Sequence, residues 1–247
     1  MSIVAAAPAG QARQIAAPVR LVEKYFYTLM SLLIAAVVTY GFSRTVDQNL
    51  VHPAVRRPGM LWLHGVIFSG WLAFFILQSL LVRVRSIRLH RTLGWFGAAL
   101  GTAVTVVGVA ITITMTRFHL HQLHETDMSF VIVPLWDITV FTVFFVLSIA
   151  WRKRPEFHRR LALLATCALS AAGIGRFPPQ IVPPGMFYAG VDLLILLGVG
   201  RDLLVDRRVH AVYRVSLPIL VLGQAAVMFL VIAKPEFWMK MAAAIGN

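Results

Sequence analysis

The chain has 247 residues, of which 59% are hydrophobic and only 13% charged, with a formal net charge of +13. Soluble domains sit nearer half apolar and a quarter charged, so the surplus apolar surface has to face lipid, and seven spans of about 20 residues would absorb it. This argues against a soluble enzyme and a disordered tail, and the single cysteine, Cys167, rules out an intrachain disulfide.

Residues 1–25 form an Ala/Pro/Gln-rich segment with Arg13, Arg20 and Lys24 and no apolar stretch followed by a small-residue cleavage site, which reads as a short cytosolic tail. Apolar runs then predict seven helices at 26–43, 59–82, 92–115, 130–150, 159–176, 185–200 and 212–233, so that residues 26–234 make one transmembrane domain. The run Phe177-Pro178-Pro179-Gln180-Ile181-Val182-Pro183-Pro184 interrupts the pattern before the short sixth span, because proline removes a helix donor. Residues 235–247, with Phe237, Trp238 and Lys240, read as an interfacial tail.

Basic residues set the orientation, since positively charged loops stay in the cytosol. One side of the seven-span arrangement collects 16 Lys and Arg residues and the other 7. The expectation is an all-α polytopic bundle, one leading helix plus three hairpins, with the N-terminus inside and the C-terminus outside. The surplus charge then serves topology and anionic lipid headgroups, and nothing in it favours nucleic acid.

The hairpin loops resemble one another. Arg83-Val84-Arg85-Ser86-Ile87-Arg88-Leu89-His90-Arg91 precedes the third span, Arg152-Lys153-Arg154-Pro155-Glu156-Phe157-His158-Arg159-Arg160 the fifth, and Arg207-Arg208-Val209-His210 the seventh. Each of these helices begins with an inner-face histidine beside arginines. Small residues continue one face of the third span at Gly94, Gly97, Gly101, Thr105, Gly108 and Thr112, and of the fifth at Ala162, Ala165, Ala172 and Gly175. Two readings are open: tight helix packing, or room for a flat cofactor held by His90 and His158. Imidazoles are good axial ligands for haem iron, and Arg91, Arg159 and Arg160 could pair with propionates.

On the outer side, His64 lies inside the second span and His119, His121, His124, Glu125 and Asp127 follow the third. A transition metal held by His64, His121 and His124 is one expectation, and a solvated loop is the other. Asp137, Arg176 and Asp192 are ionisable groups at membrane depth, where such residues mark sites by default. They suggest an Asp137–Arg176 ion pair or an outer cavity. Gln78 and Gln224 fit interhelical hydrogen bonds. No nucleotide-binding glycine loop, Gly-x-Ser-x-Gly or His-Glu-x-x-His is present, and no lysine lies in the seventh span to carry a retinal Schiff base.

The stretch His64 to Gly94, with Gln78, Arg83, Arg85 and Leu89-His90-Arg91-Thr92-Leu93-Gly94, resembles uncharacterised bacterial multi-pass inner-membrane proteins, as does Pro155-Glu156-Phe157-His158-Arg159-Arg160-Leu161 with Asp137 before it and Arg176 after it. That resemblance implies a bacterial inner membrane. The chain is also similar, more weakly, to the ascorbate-reducible transmembrane b-type cytochromes, whose two haems are held by histidine pairs on four central helices. This implies haem b between His90 and His158, electron transfer, and a quinol or another redox protein as partner. The fourth span has no histidine, so a second haem on His64 would need His121 or His124. The alternatives are a cofactor-free binding, transport or assembly-factor protein with an outer polar cavity, and a membrane metalloenzyme using the outer histidines.

Overall fold

The apolar periodicity is realised as helices throughout, and the computed structural model, which describes residues 17–246, contains no strand among them. In chain order the helices are α1 (Ala17–Ser43), α2 (Met60–Arg83), α3 (Ile87–Gln122), α4 (Ile132–Ala150), α5 (Pro155–Leu169), α6 (Ala171–Ile174), α7 (Phe187–Val205), α8 (Ala211–Ala233) and α9 (Glu236–Gly246). A π-helical turn, Asp47–Val51, and a 3-10 turn, Ser129–Val131, fill two of the connections. Helix α1 begins at Ala17, within the segment expected as a tail at 1–25; residues 1–16 lie outside the described residues.

Among the described residues, five helical segments are long and apolar enough to cross a membrane: Val19–Ser43, Met60–Arg83, Ile87–Gln122, Ser129–Ala150 and Ala211–Ala233. The fifth and sixth expected spans do not meet that description. Helix α5 ends at Leu169, with α6 adding one turn after Ser170, and α7 carries Asp192, Arg201 and Asp202 within 19 residues. For α5 the reason is position, whereas α7 still turns Leu193, Leu196 and Leu197 outward. Leu161, Leu163, Leu164, Ala165, Thr166 and Cys167 of α5 are all essentially buried, against α4, α7, α1 and α8. A helix enclosed by protein on all sides can carry small and charged residues that a lipid-facing helix cannot.

The outer helices show the opposite composition. Val215, Ile219, Leu222, Phe229 and Ile232 of α8 are more than half exposed, and α2 turns Trp62 and Val66 outward in the same way. Such stripes are apolar surface without a protein partner, compatible with lipid contact. Helix α3 is longer than its predicted 92–115: 36 residues give it a length of about 54 Å, well beyond a hydrocarbon core of about 30 Å. The end of α3 receives α9, where Trp238 and Ala242 pack against Met128 and Val131 and the Trp238 Nε1 donates to the Ser129 carbonyl at 3.1 Å.

Candidate functional site

The tight α4–α5 turn, Trp151 to Arg154, with Pro155 opening α5, brings His158 back against the end of α4. The His158 Nδ1 lies 2.9 Å from the Ser148 carbonyl, which can only accept, so Nδ1 carries the proton and Nε2 keeps its lone pair. Helix α3 starts after Ser86 and sets His90 one turn in, and the two imidazoles meet in a T-shaped arrangement with centroids 6.2 Å apart and planes at 73°. The pair expected from the loop alignment is therefore assembled.

Unmet polar atoms surround it. Tyr27 Oη, both amide atoms of Gln78, Arg83 Nε, His90 Nδ1 and Arg159 Nε are buried without a hydrogen-bond partner. Tyr27 sits under the Arg159 guanidinium at 5.2 Å and Tyr25 under Arg83 at 4.3 Å, so α1, α2, α3 and α5 all contribute. Native interiors leave few such atoms unmet, and six are gathered on these five residues. Arg91, the neighbour of His90, is exposed.

The glycine face of α3 divides in two. A Cβ on Gly97 or Gly101 would strike the rings of Phe74 and Phe145, and one on Gly108 would strike Ile138. There the packing reading holds, and the expectation of a cofactor slot along the whole face is corrected: side chains from α2 and α4 fill it. Gly94, one turn above His90, has open space at its missing Cβ.

Beside the histidines lies a group that sequence reasoning missed. Arg160 is 1% exposed and Asp202 is fully buried. Asp202 accepts from Arg160 Nε at 2.9 Å, Arg160 Nη2 at 2.5 Å, Arg201 Nη1 at 3.0 Å and the His210 backbone N–H at 3.3 Å. Asp206 takes Arg160 and Arg201 as well, and Glu156 takes Arg159 and Arg160. Spacing gives only the local part of it: Glu156 and Arg160 are four apart on α5, and Asp206 follows Asp202 by four at the end of α7, while the α5–α7 pairing depends on packing. The network borders a cleft of about 500 Å³ reaching Glu23, Arg208 and His210. His210 is the N-cap of α8, its Nδ1 accepting from the Val212 N–H at 3.2 Å, and burial together with the nearby Arg160 charge holds its pKa below the ordinary histidine value.

Three expectations for the other end are corrected. Asp137 and Arg176 form no ion pair: Asp137 accepts from the Tyr188 hydroxyl at 3.1 Å, while Arg176 donates to Thr45 and the Ala172 carbonyl and lies over the Phe42 ring. The residue after α6 is turned toward α1, away from α4. The metal set His64, His121 and His124 does not converge, and among the described residues no three His, Cys, Asp or Glu side chains could hold a metal ion together. The extension of α3 explains this, since His121 rides beyond the predicted helix end and bonds the Gly246 carbonyl at 3.1 Å, with His119 on Glu125 at 2.8 Å. His64 packs on Phe68, its Nδ1 buried and unmet. The outer cavity shared by Asp137, Arg176 and Asp192 reduces to a small void lined by Asp137, Tyr188 and Gln224, with Gln224 bonding Asp192 at 3.0 Å.

Asp127, also on this side, bonds Lys234 at 2.6 Å with both side chains about half exposed. The Lys234 ammonium, with Ser129, holds the Asp127 carboxyl down at about 2. A depressed carboxyl contributes stability above its unfolded value near 4, which is lost as pH falls through about 2. Exposed pairs of this kind contribute under about 1 kcal/mol. Lys234→Met should therefore raise the Asp127 titration, followed by NMR, while leaving the melting temperature nearly unchanged because Trp238 still anchors α9.

No family model, characterised protein or solved structure matches the chain.

Proposed function

We propose that this chain is a bacterial inner-membrane protein crossing the bilayer seven times, N-terminus inside, with the enclosed α5–α6 and the half-exposed α7 as the two crossings that lack long apolar runs. At the inner end of the bundle it holds one haem b between α3 and α5 and exchanges electrons with a quinol or a redox protein. The observation that carries this reading is the T-shaped His90–His158 pair amid unmet polar atoms. The two rings lie 6.2 Å apart between centroids, near enough for both to hold one bound group.

The residues fit the group. His158, fixed by Ser148, presents Nε2, and His90 has an unmet nitrogen. Gly94 leaves open the turn on which a flat ring would lie. Arg159 and Arg83 retain unmet Nε donors suited to carboxylates, and Gln78 adds a free amide. Bound there, a haem would supply one-electron chemistry, with axial ligation and burial setting its potential. The chain's part is to hold the His158 imidazole in one tautomer with His90 beside it, to close the site with Tyr27 and Gln78, and to balance negative charge with arginine. Similarity to the ascorbate-reducible b-type cytochromes extends to this one pair. His64 has no histidine opposite, so the reading is a single haem at one face.

The experiment is haemin titration of detergent-purified protein followed by absorption. A Soret band saturating at one haem per chain is expected, lost in His90→Ala and in His158→Ala. Gly94→Leu should lose it too while keeping the helical circular dichroism. A wild type that takes up no haem, or a band indifferent to both histidines, overturns the reading.

A further inference from the structure

The α4–α7–α8 junction, at the end of the bundle opposite His90, holds two carboxylates and no counter-charge. Neither Asp137 nor Asp192 forms an ion pair with a described residue; their partners are Tyr188 and Gln224. Asp137 lies five residues into α4 and Asp192 five into α7, both inside apolar helices. An ionised carboxylate without a partner at such depth costs several kcal/mol.

Beside Asp137 is the void, with Asp192 beyond it on the far side of the Gln224 amide. It is lined by Asp137, Tyr188 and Gln224 and otherwise by apolar side chains such as Leu164, Ala168 and Ile195. Its room for a water centre is about 10 Å³, close to the minimum that one water needs. Tyr188 and Gln224 are 6% and 5% exposed, and both border it. The Gln224 amide is half used: Nε2 donates to Asp192, and Oε1 receives no hydrogen bond from a described residue. Around Asp137, α7 presents Tyr188 and Asp192, whereas α5 and α8 present only Leu164, Ala168, Leu220 and Gln224, none titratable. Calcium and magnesium take six or more oxygen ligands, which this void lacks.

We propose that one water in the void links Asp137 to Gln224 and that the linked carboxyls bind a proton, making this junction an intramembrane proton-exchange site. The donors then run one way. Tyr188 donates to Asp137 Oδ1, the Asp137 Oδ2 proton goes to the water, the water donates to Gln224 Oε1, and Gln224 Nε2 donates to Asp192. The site depends on α4, α7 and α8 lying in lipid and is independent of the haem.

Infrared spectroscopy of the full chain in lipid nanodiscs tests it. At neutral pH the wild type should show the carbonyl stretch of a protonated carboxyl, shifting in D₂O as its proton exchanges. Asp137→Asn should abolish that band, and Tyr188→Phe and Gln224→Leu should move it while the carboxyl remains. Asp127→Asn, at the exposed surface, should leave it alone. A wild type with no such band, a band that survives Asp137→Asn, or one unmoved by both Tyr188→Phe and Gln224→Leu overturns the proposal.

Discussion

Asp202→Asn is expected to destabilise the protein by about 3–5 kcal/mol, measured by chemical unfolding in detergent or by the shift of the thermal transition. Asp202 is fully buried and receives four hydrogen bonds, two from Arg160 and one each from Arg201 and the His210 backbone. Asparagine keeps the shape and removes the charge, so Arg160, 1% exposed, is left with the half-exposed Glu156 and Asp206 only. The loss comes chiefly from the uncompensated guanidinium, since a buried pair taken as a whole gains little over apolar residues of the same volume. The double variant Arg160→Met with Asp202→Asn should therefore cost clearly less than the two single changes together. Arg201 retains Asp206 at 2.6 Å in that background. An Asp202→Asn protein within about 0.5 kcal/mol of wild type would show that the network is not what joins α5 to α7. Because His158 and Arg160 share the first turns of α5, the same variant should also loosen the histidine pair.

Which parts of this arrangement the sequence could reveal follows from which helices carry long apolar runs. Helices α1, α2, α3, α4 and α8 announce themselves because each contains a segment long and apolar enough to cross a membrane. Helix α5 is enclosed, so its composition follows its protein neighbours, and its length and its break at Ser170 were not readable. The His90–His158 pair was readable because both residues sit at the same position of homologous-looking hairpins, which fixes their depth and brings them to one face. The Asp137–Arg176 pair failed on the other coordinate. Depth matched, but the turn after α6 sends Arg176 around the bundle toward Thr45. Arg160 was placed among loop arginines because nothing in its local sequence says that the helix turns it inward onto Asp202. That direction depends on how α5 and α7 pack, which is a property of the assembled bundle.

Gly41→Leu is expected to cost about 3 kcal/mol or more, because the obstacle is main chain. A Cβ on Gly41 would run into the Gly173 carbonyl, and one on Gly173 would meet the Val38 backbone, so α1 and α6 touch through their main chains. Small residues permit that approach, and no rotamer change can relieve a clash with a carbonyl group held in a helix. Gly65 and Gly70 of α2 supply the control, since nothing lies within 4 Å of a Cβ added to either. Alanine at those positions should be neutral or stabilising by up to about 1 kcal/mol through helix propensity. Equal melting temperatures for Gly41→Leu and Gly70→Ala would show that α1 is not seated on α6. The seam also bears on the histidine site at a distance. Gly41 lies 14 residues beyond Tyr27 on α1, about 21 Å along the helix, and Tyr27 closes the unmet polar group around His90 and Arg159. Lifting α1 from α6 should therefore weaken haem uptake without touching a ligand, whereas Gly94→Leu should abolish uptake and leave the melting temperature near that of the wild type, and the contrast between the two variants separates the scaffold of α1 from the site it helps to enclose.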